Sequence, residues 1–423
     1  MAFTALHHHI DLDLLQEAYR LTRKDGAVGV DGQTAETYAA DLETNLQSLL
    51  SRFKSGTYQA PPVRRVHIPK GEGAKTRPIG IPTFEDKILQ RAVAMVLQAI
   101  YEQDFLDCSF GFRPQRSAHQ ALDVLWQEVM RVGGGWVLEA DIQKFFDMLD
   151  FGHLRSFLGR RVRDGVLRRT IDKWLKAGVL EEGVVTHPDT GTPQGGVISP
   201  LLANVYLHEV LDRWLTETIR PLLPGRVALV RYADDFVIVF SSENDARRVM
   251  SVLPKRFGRF GLTLHPEKTR LIRFWRPRLK HKGTFPSGNA GPESFDLLGF
   301  THHWARSRRG VWVVKRRTAK VRLRRSIHRI AQWCREHRHA PVAWQHKELV
   351  RKMHGHYAYY GLTGNARQLG CFCYEVRRVW GTWLRRRSPH SGMTWARVGH
   401  LLKRYPLPGG RVVHSIYRQA ANP

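Results

Sequence analysis

Two apolar segments rich in β-branched residues meet at a pair of adjacent carboxylates, Asp234 and Asp235, within residues 227–240. Valine, isoleucine, phenylalanine and tyrosine favour strands, and aspartate tolerates the backbone angles of tight turns. The segment therefore predicts a β-hairpin that presents acid at its tip. Taken alone, such a pair is more often turn chemistry than catalysis, because aspartate hydrogen-bonds its own backbone in turns.

A third carboxylate strengthens the catalytic interpretation. Asp141 ends another apolar run, residues 136–140, which could form a strand beside the hairpin. Magnesium prefers oxygen ligands, and carboxylates are its usual protein ligands. Three carboxylates at the ends of two buried strands are therefore what a pair of Mg²⁺ ions requires.

Composition limits the class of protein. The chain has 423 residues and is 42% hydrophobic, which is typical of a globular protein with two or three domains. No apolar stretch approaches the roughly 20 residues that span a bilayer, and the N-terminus has no signal-peptide pattern. We expect a soluble protein of the prokaryotic cytoplasm with no membrane partner. Four cysteines do not suggest a disulfide framework.

The charge is concentrated in the last third of the chain. Residues 301–423 contain 27 Lys and Arg against 3 Asp and Glu, an excess of 24 out of the net +29 of the whole chain. Ordinary solvated surfaces carry both signs, and a one-sided field of this size favours a polyanion. Nucleic acid is therefore the expected partner, and some of the interleaved aromatic residues could stack on bases.

Several other segments have a predictable structure. Residues 61–70 and 76–83 indicate a basic β-hairpin, suited to a triphosphate or merely solvated. The Gly/Pro-rich residues 191–200 precede a helix. They could present backbone amides to a phosphate group or be a connecting loop with no binding role. Residues 262–274 are strand-like. Helices are predicted over about 316–337, 342–360 and 366–386, with a domain boundary near 305–315.

Seven blocks of sequence occur in the order and spacing of one family. The chain resembles the group II intron-encoded reverse transcriptase/maturase family over nearly its full length. The blocks are Arg77-Pro-Ile-Gly-Ile-Pro82, Gly111-Phe-Arg-Pro114, Asp141-Ile-Gln-Lys-Phe-Phe146, Thr192-Pro-Gln-Gly-Gly-Val-Ile-Ser-Pro200, Arg231-Tyr-Ala-Asp-Asp235, Leu262-Thr-Leu-His-Pro-Glu-Lys-Thr269 and Phe295-Asp-Leu-Leu-Gly-Phe300. Each block alone is weak evidence for the family. The shared order and spacing of all seven make the combined evidence strong.

The resemblance implies an α+β fold, a right-hand polymerase followed by an α-helical thumb/maturase domain. Residues 1–120 would be fingers with an N-terminal extension, and residues 121–305 a palm with an antiparallel sheet. Residues 306–423 would be the helical, RNA-binding thumb. The chain shows no Cys/His zinc nuclease domain by residue 423, so we expect the lineage without an endonuclease.

The resemblance also implies a metal site. Asp141, Asp234 and Asp235 would be catalytic and, with Ile142, would hold two Mg²⁺ ions, for which Mn²⁺ could substitute. Because side chains alternate across a strand, Asp141 and Asp234 are favoured as the direct bridging ligands.

Further roles carry over to matching positions. Lys70 and Arg77 would embrace the incoming triphosphate, Phe146 would reject a 2′-hydroxyl, and Gln194 would line the nucleotide pocket. Leu298 and Gly299 would form the primer grip. RNA contacts are expected from Arg316, Arg317, Lys320, Arg324, Arg385 and Arg386.

The implied function is RNA-directed DNA polymerisation with dNTPs, together with assistance to splicing and mobility of a group II intron. Its partners would be an RNA template, the intron RNA and a DNA primer or target. One alternative is a free-standing relative used in defence or repair. Another is an RNA-binding splicing cofactor whose polymerase is vestigial. Three intact carboxylates argue against the last, since their mutual repulsion is costly without metal.

Overall fold

The computed structural model describes residues 1–69, 76–181, 183–186, 195–277, 293–307, 309–387 and 393–415. The chain divides into two compact units. The first contains Met1–Glu128 and Gly135–Leu271, and the second contains Val129–Gly134 and Ile272–Pro423. Within the described ranges, no helix is long and apolar enough to cross a membrane.

Helices and strands are mixed in the described residues, as the sequence predicts. The helices are α1 Leu12–Leu21, α2 Ala35–Ala39, α3 Leu42–Ser55, α4 Phe84–Tyr101, α5 Ala118–Val132, α6 Phe151–Gly159, α7 Gly165–Lys176, α8 Ser199–Leu207, α9 Glu243–Gly258, α10 Lys320–Glu336, α11 Val342–Tyr360, α12 Ala366–Arg385 and α13 Trp395–Arg404. The strands are β1 Val63–Pro69, β2 Thr76–Ile81, β3 Trp136–Ala140, β4 Val179–Glu181, β5 Val184–Thr186, β6 Val227–Tyr232, β7 Asp235–Phe240, β8 Arg270–Arg273, β9 Phe295–Leu297, β10 Phe300–Arg306 and β11 Trp312–Thr318.

The sheet that carries the candidate site has the strand order β6-β7-β3-β8. Strands β6 and β7 form the predicted hairpin, in which Tyr232 pairs with Asp235 across a two-residue turn. Strand β3 runs antiparallel to β7, and Ala140 pairs with Phe236. Every residue of β7 after Asp235 is buried, which explains its continuous apolar sequence. The end of β3 and the start of β7 therefore lie at the same edge.

A second sheet of the first unit contains the predicted basic hairpin. Its strand order is β2-β1-β4-β5, and β1 and β2 are antiparallel, with Ile68 opposite Arg77. Strand β1 also pairs with β4 in parallel. The hairpin is thereby fixed into a four-stranded sheet, so Arg77 projects from an anchored strand.

Helix α4 lies in the hydrophobic core of the first unit. Thr83 caps it by accepting a hydrogen bond from the Asp86 amide at 3.2 Å. Asp86 itself is only 2% exposed and accepts a hydrogen bond from the Tyr58 hydroxyl. Burial raises the pKa of Asp86 to about 7. Since burial penalises the charged form, this carboxyl is held partly protonated at neutral pH.

The second unit contains the three-stranded sheet β11-β10-β9 and the helices α10–α13. The helix predicted to begin at about 316 begins at Lys320 instead, because Trp312–Thr318 pairs along its whole length with β10. Burial alternates along Trp312–Thr318 with the two-residue period of a strand. The charged residues at positions 315–317 obscure this period in the sequence. The strand-like stretch 262–274 likewise shortens to β8.

Candidate active site

Three carboxylates meet at one edge of the β6-β7-β3-β8 sheet. Asp141 directly follows β3, Asp234 lies in the turn between β6 and β7, and Asp235 begins β7. The register that pairs Ala140 with Phe236 brings the ends of these strands together. We call Asp141, Asp234 and Asp235 the carboxylate edge. The Asp141 side chain is 26% exposed, Asp234 is half-buried, and Asp235 is exposed.

The electrostatics of Asp234 connect three of the predicted residues. Burial is the main cause that raises the pKa of Asp234, and the nearby charge of Asp141 raises it further. The positive charge of Arg77 acts in the opposite direction and lowers it. Opposite charges favour ionisation only when they lie close together. The sequence-predicted cation on β2 therefore lies within electrostatic range of the carboxylate edge.

Lys268 is an additional member of this site, to which the sequence assigned no role. Its ammonium group forms an ion pair with a carboxylate oxygen of Asp141. The backbone is joined nearby, because the His265 amide donates to the Asp141 carbonyl at 2.7 Å. The lysine side chain is 57% exposed, so solvent screens the pair. Lys268 partly neutralises a carboxylate whose neighbours are also acidic.

The donor set at the carboxylate edge fits a hard divalent cation. Magnesium in phosphate-transfer sites is bound by one or two carboxylates together with substrate phosphates, and Asp141 and Asp234 supply that number. In the part of the chain that the structure describes, no group of three or more His, Cys, Asp or Glu side chains has metal-binding geometry. Ile142 is 4% exposed. The backbone hydrogen bonds on either side of it use the Asp141 carbonyl and the Gln143 amide, and not the carbonyl of Ile142.

The turn that carries Asp234 is shaped by close backbone packing. Ala233 has a left-handed backbone with φ of +57°, which is unfavourable for a residue other than glycine. Gly111 packs against it so tightly that a Cβ at position 111 would lie 2.9 Å from the Tyr232 carbonyl carbon and closer still to the Ala233 nitrogen. Glycine at 111 is therefore required by close approach rather than by its own φ.

A buried arginine is hydrogen-bonded to the same turn. Arg231 is completely buried and forms a salt bridge with the equally buried Asp212 at 2.5 Å. Its remaining hydrogen bonds go to Asn204 Oδ1 at 2.9 Å, Ser109 Oγ at 2.8 Å and the Ala233 carbonyl at 3.0 Å. A buried ion pair is tolerated only with such additional partners. Arg231 precedes the Tyr-Ala-Asp-Asp run directly, but its burial was not apparent from the sequence.

The predicted nucleotide-side residues are only partly described. Phe146 is half-buried in the short 3-10 helix Phe145–Met148, with its ring 5.3 Å from that of Phe145. Lys70 and Gln194 lie outside the described residues. Gly195, the neighbour of Gln194, has φ of +126°, and a Cβ there would lie 2.8 Å from the Ile79 side chain. Gly195 thus packs against the strand that carries Arg77.

Gln90 on α4 is a second residue that the sequence reasoning missed. Its side-chain oxygen accepts a hydrogen bond from the Val197 amide at 2.8 Å. A Cβ at Gly196 would lie 3.1 Å from the same oxygen. Gln90 is 3% exposed, so this bond is protected from water. The Gly195-Gly196 segment is consequently held from both sides, by β2 and by α4.

The remaining predicted residues lie in the second unit. Leu298 and Gly299 form the left-handed turn between β9 and β10, with φ of +50° and +80°. The Tyr359 hydroxyl donates to the Leu298 carbonyl at 2.9 Å, which fixes this turn to α11. Among the expected RNA contacts, Lys320, Arg324, Arg385 and Arg386 are exposed, and Arg317 is half-buried.

Arg316 does not fit the expected surface contact with RNA. It is 2% exposed, because strand alternation in β11 turns its side chain inward. The sequence analysis placed Arg316 at the start of a helix, whereas it lies in β11. The correct secondary structure therefore removes Arg316 from the set of exposed cations.

Comparison with known proteins identifies similar chains. Residues 68–302, more than half of the chain, match the family model described as reverse transcriptase (RNA-dependent DNA polymerase). Group II intron-encoded protein LtrA of Lactococcus lactis subsp. cremoris is 40% identical over 216 residues, which are 51% of this chain and 36% of LtrA. Protein YkfC of Escherichia coli (strain K12) is 38% identical over 258 residues, 53% of this chain and 67% of YkfC.

A plant relative extends the same pattern. Nuclear intron maturase 2, mitochondrial, of Arabidopsis thaliana is 28% identical over 254 residues, which are 50% of this chain and 32% of that protein. The chain therefore spans about a third of the length of LtrA and of the plant protein, and about two thirds of YkfC.

Proposed function

Because the chain belongs to the reverse transcriptase (RNA-dependent DNA polymerase) family, we propose that it extends a DNA primer with deoxynucleotides copied from an RNA template. The observation that carries the proposal is the carboxylate edge, where Asp141 and Asp234 come together beside the positive charge of Arg77. Phosphoryl transfer requires charge neutralisation and positioning more than covalent participation by the protein. The carboxylates at the strand ends, together with the nearby guanidinium group of Arg77, supply both requirements.

Reverse transcriptases generally depend on a divalent metal, and the proposed ions here are two Mg²⁺, for which Mn²⁺ could substitute. Asp141, Asp234 and Asp235 would hold them, with the Ile142 carbonyl as a further ligand. Bound there, such ions supply activation of the primer 3′-hydroxyl and neutralisation of the pyrophosphate that leaves. The protein would contribute Asp234 in its ionised form and would release Asp141 from Lys268.

The incoming nucleotide would lie between the hairpin β1–β2 and the carboxylate edge. Arg77 and Lys70 would bind its triphosphate, Arg as a planar fork and Lys as a point charge. Phe146 would pack against the sugar and exclude a 2′-hydroxyl, and Gln194 would line the pocket. The packing of Gly195 on β2 supports this arrangement, since Gly195 directly follows Gln194 in the chain and β2 carries Arg77.

The proposed architecture is a right-hand polymerase. Residues 1–120 would be the fingers with an N-terminal extension, residues 121–305 the palm, and residues 306–423 the thumb/maturase domain. Leu298 and Gly299 would act as the primer grip. The helical core of the second unit, built from α10, α11 and α12, supports the assignment of a helical thumb.

A second proposed function is assistance to splicing of a group II intron RNA. The observation that favours it is the excess of 24 positive charges in residues 301–423. Such a field neutralises many phosphates and releases their counterions, which supplies sequence-independent affinity. The proposed RNA contacts are the exposed residues Lys320, Arg324, Arg385 and Arg386, together with the half-buried Arg317. Two relatives whose names include an intron-encoded protein and a maturase agree with this role.

Primer extension tests the first proposal. The full chain is incubated with a labelled DNA primer on an RNA template, the four dNTPs and Mg²⁺. We expect extension to the template end, with a product sequence complementary to the RNA. Extension that ignores the template sequence, or none at all, contradicts the proposal.

A splicing assay tests the second proposal. A group II intron precursor RNA is incubated at low Mg²⁺ with the full chain or with the double variant Arg385→Gln and Arg386→Gln, which removes both charges but leaves a polar side chain at each position. We expect the wild type to accelerate exon ligation and the variant to be weaker. Equal acceleration by both would remove these arginines from the proposed surface.

A further inference from the structure

Phe112 is unusual in two independent ways. Its side chain is 56% exposed, although phenylalanine gains by burial. Its backbone is left-handed, with φ of +57°, a region that disfavours residues with a Cβ. Strained residues of this kind persist where the surroundings hold them, and they cluster at functional sites. Both features are unfavourable for the isolated fold and therefore call for another explanation.

The loop that carries Phe112, residues 109–115, is firmly held. Arg113, which is 7% exposed, donates to the carbonyls of Leu106 and Ser109 at 2.8 Å each, and it pairs with Glu102 at 3.0 Å. The Phe110 amide donates to the Arg231 carbonyl at 2.9 Å. The exposure of Phe112 is therefore imposed by a fixed loop and does not result from loose packing.

Phe112 also adjoins the turn that carries the catalytic acid. Its chain neighbour Gly111 packs against Ala233, and the Phe112 ring lies 6.4 Å from the ring of Tyr232. Tyr232 is half-buried and directly precedes Ala233 and Asp234. Two aromatic rings thus stand side by side next to the carboxylate edge, one of them largely in solvent.

We propose that Phe112, flanked by Tyr232, is a contact platform for the end of the RNA–DNA duplex that is being extended. This inference rests on the proposed polymerase function, which requires the primer terminus to lie at the carboxylate edge. An uncharged aromatic surface suits the sugar and base faces of nucleotides, on which aromatic side chains commonly stack. The triphosphate is a poor occupant, since it is anionic and Arg77 is available for it.

The platform separates two contributions to duplex binding. Phosphate contacts give affinity along the duplex, whereas Phe112 holds its reacting end against the turn of Asp234. Loss of the ring then weakens duplex binding and shortens each binding event. The Michaelis constant for dNTP should change little, because the nucleotide-side residues remain in place.

The experiment replaces the strained residue with the one that relieves the strain. Phe112→Gly removes the ring and also the unfavourable backbone angle. Gln115→Gly is the matched control, because Gln115 has the same φ of +57°, lies in the same loop and is exposed but carries no ring. Phe112→Trp keeps an aromatic surface. Binding of a fluorescent primer on an RNA template is measured by anisotropy with the full chain, alongside thermal unfolding and extension kinetics.

Phe112→Gly should weaken duplex binding by about ten-fold, in the range of alanine substitutions of base-stacking aromatics. Its unfolding temperature should not fall. Gln115→Gly and Phe112→Trp should both bind like wild type.

Unchanged binding by Phe112→Gly overturns the platform. A lowered unfolding temperature together with weak binding by Phe112→Trp also overturns it, because the ring would then be structural. Failure of the wild type to extend a duplex that it binds refutes the polymerase proposal instead. The anisotropy comparison still decides the platform in that case.

Discussion

Gly111 offers the sharpest test of how the fold positions the catalytic turn. Substitution by alanine adds one methyl group at a site where its carbon would lie 2.9 Å from the Tyr232 carbonyl carbon. Gly111 does not have a positive φ, so alanine is compatible with the backbone at position 111 itself. The substitution therefore acts through steric pressure on the turn of Ala233 and not through local strain.

The expected displacement follows from these contacts. Ordinary contact begins at 3.4 Å, so the Tyr232 carbon has to move by about half an ångström and the closer Ala233 nitrogen by more. A shift of about 1 Å in a reacting group can cost roughly a hundred-fold in rate, equivalent to about 3 kcal/mol in the barrier. We predict a loss of this size in the rate of the chemical step for Gly111→Ala.

Single-turnover incorporation of one dNTP on a bound primer–template measures this rate. Gly258→Ala is the control, because no atom lies within 4 Å of a Cβ there and its φ is not positive. Circular dichroism checks that both variants fold. A Gly111→Ala enzyme as fast as the control would refute the reasoning that this contact sets the position of Asp234.

Four further tests concern the burial of Asp86, the ion pair of Lys268, the ring of Phe146 and the charge of residues 301–423. Burial raises the pKa of Asp86 from 3.8 to about 7, so the folded chain keeps a proton that the unfolded chain loses, and stability falls as pH rises between these values. The whole change is about 4 kcal/mol, of which about 3 kcal/mol falls between pH 5 and pH 8, and Asp86→Asn should abolish that difference in urea unfolding at these two pH values. Lys268→Met should lower the Mg²⁺ concentration for half-maximal extension, because no ammonium then competes for Asp141; a higher requirement would contradict this. Phe146→Ala should admit ribonucleotides in primer extension, and unchanged sugar discrimination would remove Phe146 from that role. RNA affinity should fall steeply with salt because of the charge of residues 301–423; a flat salt dependence in filter binding would exclude a phosphate-dominated interface.

The sequence was sufficient to predict the carboxylate edge. Mainly apolar, β-prone residues on both sides of Asp234 and Asp235 predict two strands joined by a tight turn, and the structure has these strands with a two-residue connection. The approach of Asp141 could be anticipated because it also follows a mainly apolar run, residues 136–140. Local patterns were informative here since the central residues of each strand are buried and apolar.

The supporting residues could not be predicted, because their roles depend on partners distant in sequence. Arg231 meets Ser109, which is 122 positions away, and Lys268 meets Asp141, which is 127 positions away. An arginine in a strand or a lysine in a turn gives no local sign of such a partner. The close approach of Gly111 to Ala233 is equally invisible in the sequence.

The second unit shows a different limit. Strand β11 contains Arg316 and Arg317, which the sequence analysis placed at the start of a helix over about 316–337. Its structure depends on distant partners, because it pairs with β10 along its whole length and Asn365 at the start of α12 bonds both the amide and the hydroxyl of Thr318. Tertiary context of this kind overrides local preference.

The most direct test of the central claim is the dependence of primer extension on the carboxylate edge. Single-nucleotide incorporation on an RNA template is compared between wild type, Asp141→Asn, Asp234→Asn and the control Asp13→Asn, an exposed carboxylate on α1. We predict that both edge variants bind the duplex but lose incorporation by at least a thousand-fold, about 4 kcal/mol, while the control retains it. Incorporation by Asp234→Asn at the wild-type rate would contradict the account.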